Sequence, residues 1–287
     1  PAALVGTRSD GEQVAVHLST PIEGPATASG VDTWLVEVRR LVDGTTEPYG
    51  RTMVGERIEL ADGGWLEGRS PWKDSDRLTI ADLHLPEPLL TYLAHHGRPI
   101  RYQHVPVPWP ISTYQTVFAD RPGSAEMPSA SRPFTNELVT RLVSSGVGVA
   151  PITLHTGVSS LEGHEDPYPE RFEVPASTAE RVADTHRHGG RVVAIGTTVV
   201  RALESAVDPH GAPTAAAGWT ERVVSPAEPP LVVDGLITGW HEPRSSHLRM
   251  LEAIAGRPAL ELAYDRAVHA GYRWHEFGDL HLILPAG

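Results

Sequence analysis

Hydrophobic and polar positions alternate in short runs through the first hundred residues, then take on a helical period beyond Tyr114. The alternating runs at residues 3–6, 13–18, 33–39, 57–60 and 78–83 predict strands. The clearest is Trp34-Leu35-Val36-Glu37-Val38. Asp10-Gly11, Asp43-Gly44 and Asp62-Gly63 are turn signals between them. Many short strands with frequent turns predict a small closed β-barrel or a sandwich. One helix is expected at residues 87–95, stopped by Gly97. The extended, proline-rich stretch 105–110 marks a boundary between a mainly β-barrel-like domain, residues 1–105, and an α/β domain, residues 106–287.

In the second half a helix is expected at residues 134–145. Thr135 lies near its start, Leu138, Leu142 and Val143 share one face, and Gly146 ends it. Residues 147–154 read as a strand. Ser177 with Glu180 three residues on reads as a capping box, and Gly189-Gly190 closes that helix. One or two strands are expected within 223–237, helices at 245–254 and 260–270, and a last strand at 281–284. Strands alternating with helices predict an α/β domain with a mostly parallel or mixed sheet, beside the smaller β-barrel domain.

The stretch GGRVVAIGTTVVRALES, residues 189–205, organises this half. Residues 191–196 are apolar and β-branched with a glycine break on each side, which predicts a fully buried strand. Val199, Val200, Ala202 and Leu203 then fall at helical spacing, with Thr197 or Thr198 as a candidate N-cap. The carboxyl end of a strand entering a helix N-terminus favours oxygens and anions. An ordinary βα unit with no ligand is the alternative.

Composition narrows the picture. A chain of 287 residues with 40% hydrophobic content can bury a substantial core, and no run of eighteen apolar residues is present. The absence of cysteine excludes disulfides, thiolate nucleophiles and Cys-ligated zinc, and fits the cytoplasm. A net charge of −12 argues against a generally basic nucleic-acid-binding surface, while leaving room for a local groove near Arg132, Arg141 and Arg244. No GxGxxG, P-loop, HExxH or GxSxG motif occurs. His164-Glu165-Asp166 matches no standard metal spacing, so no metal is expected. What remains are polar clusters beside glycines at element ends: 114–118, 153–157, 238–246 and 272–279.

These clusters carry a resemblance. YQTVFA at 114–119, Gly123-Ser124, FTNEL at 134–138, TLHTG at 153–157, the 189–205 stretch, GWT at 218–220, LITGWHEPRSS at 236–246, AYDRAV and GYRWHEFGD occur in the order found in the S-adenosylmethionine:tRNA ribosyltransferase-isomerase family of queuosine synthesis. The chain resembles a diverged member. Residues 1–6 resemble the middle of a family motif, so a family-length N-terminal segment is expected to be absent.

The resemblance implies an α/β domain plus a smaller β-barrel. It also implies transfer of the ribosyl part of S-adenosylmethionine to the aminomethyl group of a 7-deazaguanine base in tRNA. Adenine and methionine leave, and an epoxycyclopentanediol remains. S-adenosylmethionine is then a consumed co-substrate, and no other cofactor is expected. The sulfonium acidifies the neighbouring 5′ carbon for a base, and the departing adenine needs a proton. His241, His155 and Asp279 are candidate acid–base groups, with Tyr114 as a further catalytic candidate. Candidate S-adenosylmethionine-binding residues are Gly196, Thr197, Thr198, Arg201, Thr238, Trp240, Ser245 and Arg273. Thr197, Thr198 and Ser245 would hold ribose hydroxyls or the methionyl carboxylate. Arg201 would pair with a carboxylate, or bridge to Glu204 or another acid. Tyr114, Trp240, Tyr272 and Trp274 offer rings for stacking, or are core.

The chain also departs from the family. Where the family has Gly-Leu-His ahead of the helix, this chain has Ser131-Arg132-Pro133, and Pro133 cannot titrate. The family's Gly-Thr-Phe becomes Ser159-Ser160-Leu161. Its Met-His-x-Glu keeps only Glu170, and its TNFHLP becomes TGWHEP at 238–243. Three functions follow: the family reaction on tRNA, a diverged reaction on a small deazapurine in secondary metabolism, or non-catalytic S-adenosylmethionine binding.

Overall fold

The computed structural model describes residues 2–22, 31–73, 75–102, 105, 107–158, 168–242, 245–274 and 278–285. The chain forms two compact units. The first is Pro1–Tyr114 with Pro122–Met127 and His155–Ser159, and the second is Gln115–Arg121, Pro128–Leu154 and Ser160–Gly287.

The first unit is built on β1 (Ala3–Arg8), β2 (Gln13–Pro21), β3 (Val31–Val42), β4 (Thr45–Pro48), β5 (Arg57–Glu59), β6 (Trp65–Pro71) and β7 (Leu78–His84). The strands run antiparallel in the order β2-β1-β5-β6-β7-β3, and β2 also pairs with β3. That last pairing closes a six-stranded barrel, and β4 extends from β3 as a hairpin. Alternation supplies the inside. Val14, Val16 and Leu18 of β2 meet Leu4, Val36, Val38, Ile58, Leu66, Ala81 and Leu83 in one apolar cluster. Burial of each large side chain contributes roughly 1.5–3 kcal/mol. Helix α1 (Leu89–His96) adds Tyr92 and Leu93 to the cluster, and Gly97 ends it as expected. β2 is buried on its other face as well, through Ala15, His17 and Ser19.

The second unit contains α2 (Asn136–Ser144), β8 (Thr153–His155, whose last residue groups with the first unit), β9 (Glu170–Val174), α3 (Ala176–Arg187), β10 (Val193–Ile195) and α4 (Thr197–Ser205). It continues with β11 (Ala216–Thr220), β12 (Gly235–Gly239), α5 (His247–Ala255), α6 (Arg257–His269) and β13 (Leu280–Ile283). There are two small sheets. In one, β12 lies between parallel β10 and antiparallel β13; in the other, β9 lies between β11 and β8. Leu203 and Val200 of α4, Leu236 of β12, Leu251 of α5 and Phe172 of β9 share one core. The expected α/β class with a mixed sheet and a barrel is what the chain adopts.

Several local expectations are corrected. The strand expected at 147–154 is confined to Thr153–His155. Ser177 does not cap α3: Pro175 precedes the helix without a side-chain cap, and the Thr178 hydroxyl donates to the carbonyl of Pro151 at 2.6 Å. β10 is an edge strand rather than fully buried, and Val193 is 38% exposed. Neither Thr197 nor Thr198 caps α4. Gly196 holds that position at φ 107° and ψ 145°, and its N–H donates to the carbonyl of Ile237 at 2.8 Å. Strands β4, β6, β9 and β11 were not expected from the pattern. Among the described residues no helix is long and apolar enough to cross a membrane.

Candidate active site

β10 and β12 run parallel, so their carboxyl ends open on the same edge of the sheet. From β10 that edge receives Gly196 and the first turn of α4. Thr197 is buried and Thr198 half-buried there, beside the unpaired N–H groups of a helix start. From β12 it receives Thr238, Trp240 and His241. The Thr238 hydroxyl lies 2.8 Å from Nε2 of His241, and both residues are buried. The backbone N–H of His241 donates to the Tyr264 hydroxyl of α6 at 3.1 Å. Burial pushes the Tyr264 phenol above its usual range, so it stays protonated.

Beyond His241 the chain turns into α5. The His247 ring lies parallel to that of His241, with centroids 4.5 Å apart, and the Ser245 hydroxyl is 2.9 Å from Nδ1 of His247. Trp240 is 6% exposed and stacks on His281 of β13 at 4.3 Å. The rings of Tyr264 and Tyr272 meet its edges at 4.9 and 5.8 Å. Trp240 is therefore packed among aromatic side chains, while Tyr272 is the exposed member of the group. Burial pushes the His281 imidazole below its usual range. Asp279 accepts from the backbone N–H of Arg273 at 2.6 Å.

Arg201 points elsewhere. Its guanidinium pairs with Glu170 of β9 and donates to the carbonyls of Tyr168, Thr220 and Arg222. Glu204 is not its partner; that carboxylate accepts from the backbone N–H groups of Leu231, Val232 and Val233. Burial pushes the Glu170 carboxyl up to about 7 against the opposing pull of Arg201, and burial likewise lowers Arg201. Tyr114 and His155 belong to the first unit. Tyr114 ends a short 3-10 turn. The His155 ring lies against Gly123, where an added Cβ would meet it at 2.6 Å, which accounts for the glycine in the Gly123-Ser124 pair.

Of the altered segments, Ser131 is buried and its hydroxyl donates to the carbonyl of Pro128 or to the Thr116 hydroxyl. Arg132 reaches toward Gly278. Ser159-Ser160-Leu161, His164-Glu165-Asp166, Pro243, Arg244 and residues 275–277 lie outside the described residues. Among the described residues no group of three histidines and carboxylates is placed to hold a metal. Sequence reasoning missed His247, and it missed Tyr264 and His281, whose contacts cross between elements and leave no local spacing.

Fold and site together define an α/β protein with an attached β-barrel and a polar edge at two parallel strand ends. The family model described as "Queuosine biosynthesis protein" matches residues 1–283. The chain is 42% identical over 312 residues to the S-adenosylmethionine:tRNA ribosyltransferase-isomerase of Gloeobacter violaceus, covering 99% of this chain and 79% of that one. It is 34% identical over 301 residues to the protein of the same name from Heliobacterium modesticaldum, covering 99% and 81%. Among solved structures, the S-adenosylmethionine tRNA ribosyltransferase of Thermotoga maritima aligns over 98% of this chain and 78% of that one, at 24% identity and a TM-score of 0.46. The chain belongs to the queuosine biosynthesis protein family.

Proposed function

We propose that this chain transfers and isomerises the ribosyl part of S-adenosylmethionine onto a 7-deazaguanine base in tRNA, releasing adenine and methionine. The observation that carries this reading is the near full-length match to relatives that bear that name. The geometry supplies suitable groups. The start of α4, with Gly196, Thr197 and Thr198, suits the methionyl carboxylate or the ribose hydroxyls. His241, held by the Thr238 hydroxyl just after β12, is the acid–base group this reading places at that edge. Ser245, Arg273 and the exposed Tyr272 ring complete the donor side, with Trp240 as its packed floor. Asp279 is a further acid–base group, and Tyr114 and His155 are those of the first unit. Arg201 acts as a positioning residue that ties α4 to β9 and β11. Catalysis is assigned to the α/β domain, residues 106–287, beside the β-barrel-like residues 1–105, and the reaction to the cytoplasm.

The test is incubation with S-adenosylmethionine, with and without deazaguanine-bearing tRNA, followed by mass spectrometry of adenine and methionine. Release that depends on tRNA is expected. Release without tRNA would replace this reading with a small-molecule acceptor, and binding without turnover would reduce it to a binding protein.

A further inference from the structure

Ser19 lies near the end of β2 and has no role in the reading above. The pairing of β2 with β3 shifts register there. Leu18 stands opposite Val36 and Thr20 opposite Leu35, which leaves Ser19 as the extra residue of a β-bulge. Such a bulge re-aims a side chain out of the strand's plain alternation. The Ser19 hydroxyl is buried and accepts from the backbone N–H of Val158 at 3.0 Å, 139 residues along the chain. Gly157 rests on the same oxygen. A Cβ added to Gly157 would stand 2.5 Å from Oγ of Ser19, 3.2 Å from Oγ1 of Thr20 and 3.9 Å from Cβ of Ser19. Close approach to the bulge therefore calls for glycine at 157.

Residues 123–126 hold the other side of this loop. The Thr156 carbonyl accepts from the backbone N–H of Ala125 at 2.9 Å, and its hydroxyl donates to the carbonyl of Glu126 at 3.3 Å. The His155 ring lies against Gly123. The Tyr102 hydroxyl in turn donates to Oε1 of Glu126 at 2.7 Å. All of these residues belong to the first unit.

We propose that Ser19 is a positioning residue for the reaction: the bulge of β2 seats the loop that carries His155 and so fixes where that ring stands. The inference rests on the reaction proposed above and on His155 acting in it. The hydrogen bond to Val158 and the contact under Gly157 leave the loop little freedom to slide along the strand. A general acid or base displaced by about 1 Å loses rate steeply, while substrate contacts made elsewhere survive.

A double-mutant cycle tests this. Ser19→Ala removes the acceptor, and Gly157→Ala drives a methyl group into Oγ of Ser19. In the double variant that oxygen is gone, and the two Cβ positions lie 3.9 Å apart. Each single variant is expected to lose about tenfold or more in adenine release per folded molecule, with S-adenosylmethionine affinity within about twofold of wild type. The double variant is expected to match Ser19→Ala within about threefold, because the clash needs both side chains. Equal losses from Gly157→Ala in both backgrounds, or losses that follow the folded fraction in urea denaturation, would overturn the proposal. Wild-type turnover in His155→Gln would overturn it as well. A second measurement needs no catalysis. In the ligand-free protein the Cε1–H NMR signal of His155, assigned by its loss in His155→Gln, should move in Ser19→Ala. An unmoved signal overturns the seat. If the wild-type protein itself releases no adenine, the proposed reaction fails, and this signal still decides whether Ser19 sets the loop.

Discussion

Glu170 of β9 and Arg201 of α4 form an ion pair whose side chains are only 12% and 5% exposed. The remaining guanidinium donors reach the carbonyls of Tyr168 at 2.9 Å, Thr220 at 3.2 Å and Arg222 at 3.0 Å. One side chain thus ties α4 to both β9 and β11. This explains two features of the sequence together. An arginine in the 189–205 stretch and a glutamate at 170 each supply the counter-charge that the other needs out of water.

Arg201→Ala is therefore expected to act through stability. It removes the guanidinium donors that tie α4 to β9 and β11 and leaves Glu170 buried as the neutral acid, a loss of about 1–3 kcal/mol or more. Urea denaturation should show the midpoint falling, with Glu170→Gln milder and Arg201→Met/Glu170→Leu recovering most of the loss. An Arg201→Ala protein with an unchanged midpoint and weakened S-adenosylmethionine binding would return this residue to the ligand side.

The same pair sets a pH dependence. Burial raises Glu170 from its usual 4.5 to about 7, so the folded protein holds this proton more tightly than the unfolded chain. The contribution to stability is full below the unfolded value and is lost as pH rises through about 7. Denaturation midpoints measured across this range should fall for wild type relative to Glu170→Gln. Parallel curves would place the carboxyl at its ordinary value.

His17 of β2 carries the opposite sign. It is fully buried, and neither ring nitrogen has a hydrogen-bond partner among the described residues. Burial, with the Arg39 cation adding to it, pushes the imidazole from 6.5 down to about 3. The unfolded chain binds the proton first, so stability is lost as pH falls from 6.5 toward 3, by on the order of 4 kcal/mol. His17→Phe should relieve about 1–3 kcal/mol of unsatisfied burial at neutral pH, and more in acid. Thermal melts at about pH 4 and about pH 7 would show it; equal shifts at both would rule out the titration.

The barrel was legible where alternation and Asp-Gly turns coincide, as in β2 and β3. It was not legible in β6, where Gly68 and a register shift near Ser70 break the pattern. An added Cβ on Gly68 would stand 2.2 Å from the carbonyl oxygen of Met53, so packing rather than propensity chose that residue. β9 and β11 were missed because ERFEV is mostly charged, AAGWT carries a central glycine, and the two form strands by pairing residues about 42–50 apart. In the site, Thr238 and His241 stand three apart and were readable as a cluster. Arg201 and Glu170 stand 31 apart, and nothing local couples them.

Thr238→Val tests how much of the His241 role depends on orientation. Valine keeps the shape but removes the hydroxyl that holds Nε2 at 2.8 Å. Turnover is expected to fall about tenfold or more with S-adenosylmethionine affinity nearly unchanged, while Thr238→Ser recovers most of the rate. Full activity in the valine variant would leave Thr238 a core residue only.

Gly196 gives the cleanest test of whether the α4 start is shaped by its backbone. Its φ of 107° and ψ of 145° lie where side chains are rarely tolerated, yet an added Cβ would have room: the nearest atoms are Oγ1 of Thr198 at 3.6 Å and Cβ of Ala130 at 3.8 Å. Steric clash is thus absent and the cost of Gly196→Ala is conformational, of order 1–3 kcal/mol. The chain can relieve this strain only by rotating the peptide that joins β10 to α4, which moves the free N–H groups of the first helical turn. The variant should therefore lose S-adenosylmethionine affinity by more than its loss of stability would account for, as read by calorimetric titration beside urea denaturation. Weaker stability with intact affinity would mean that the ligand does not use this helix start.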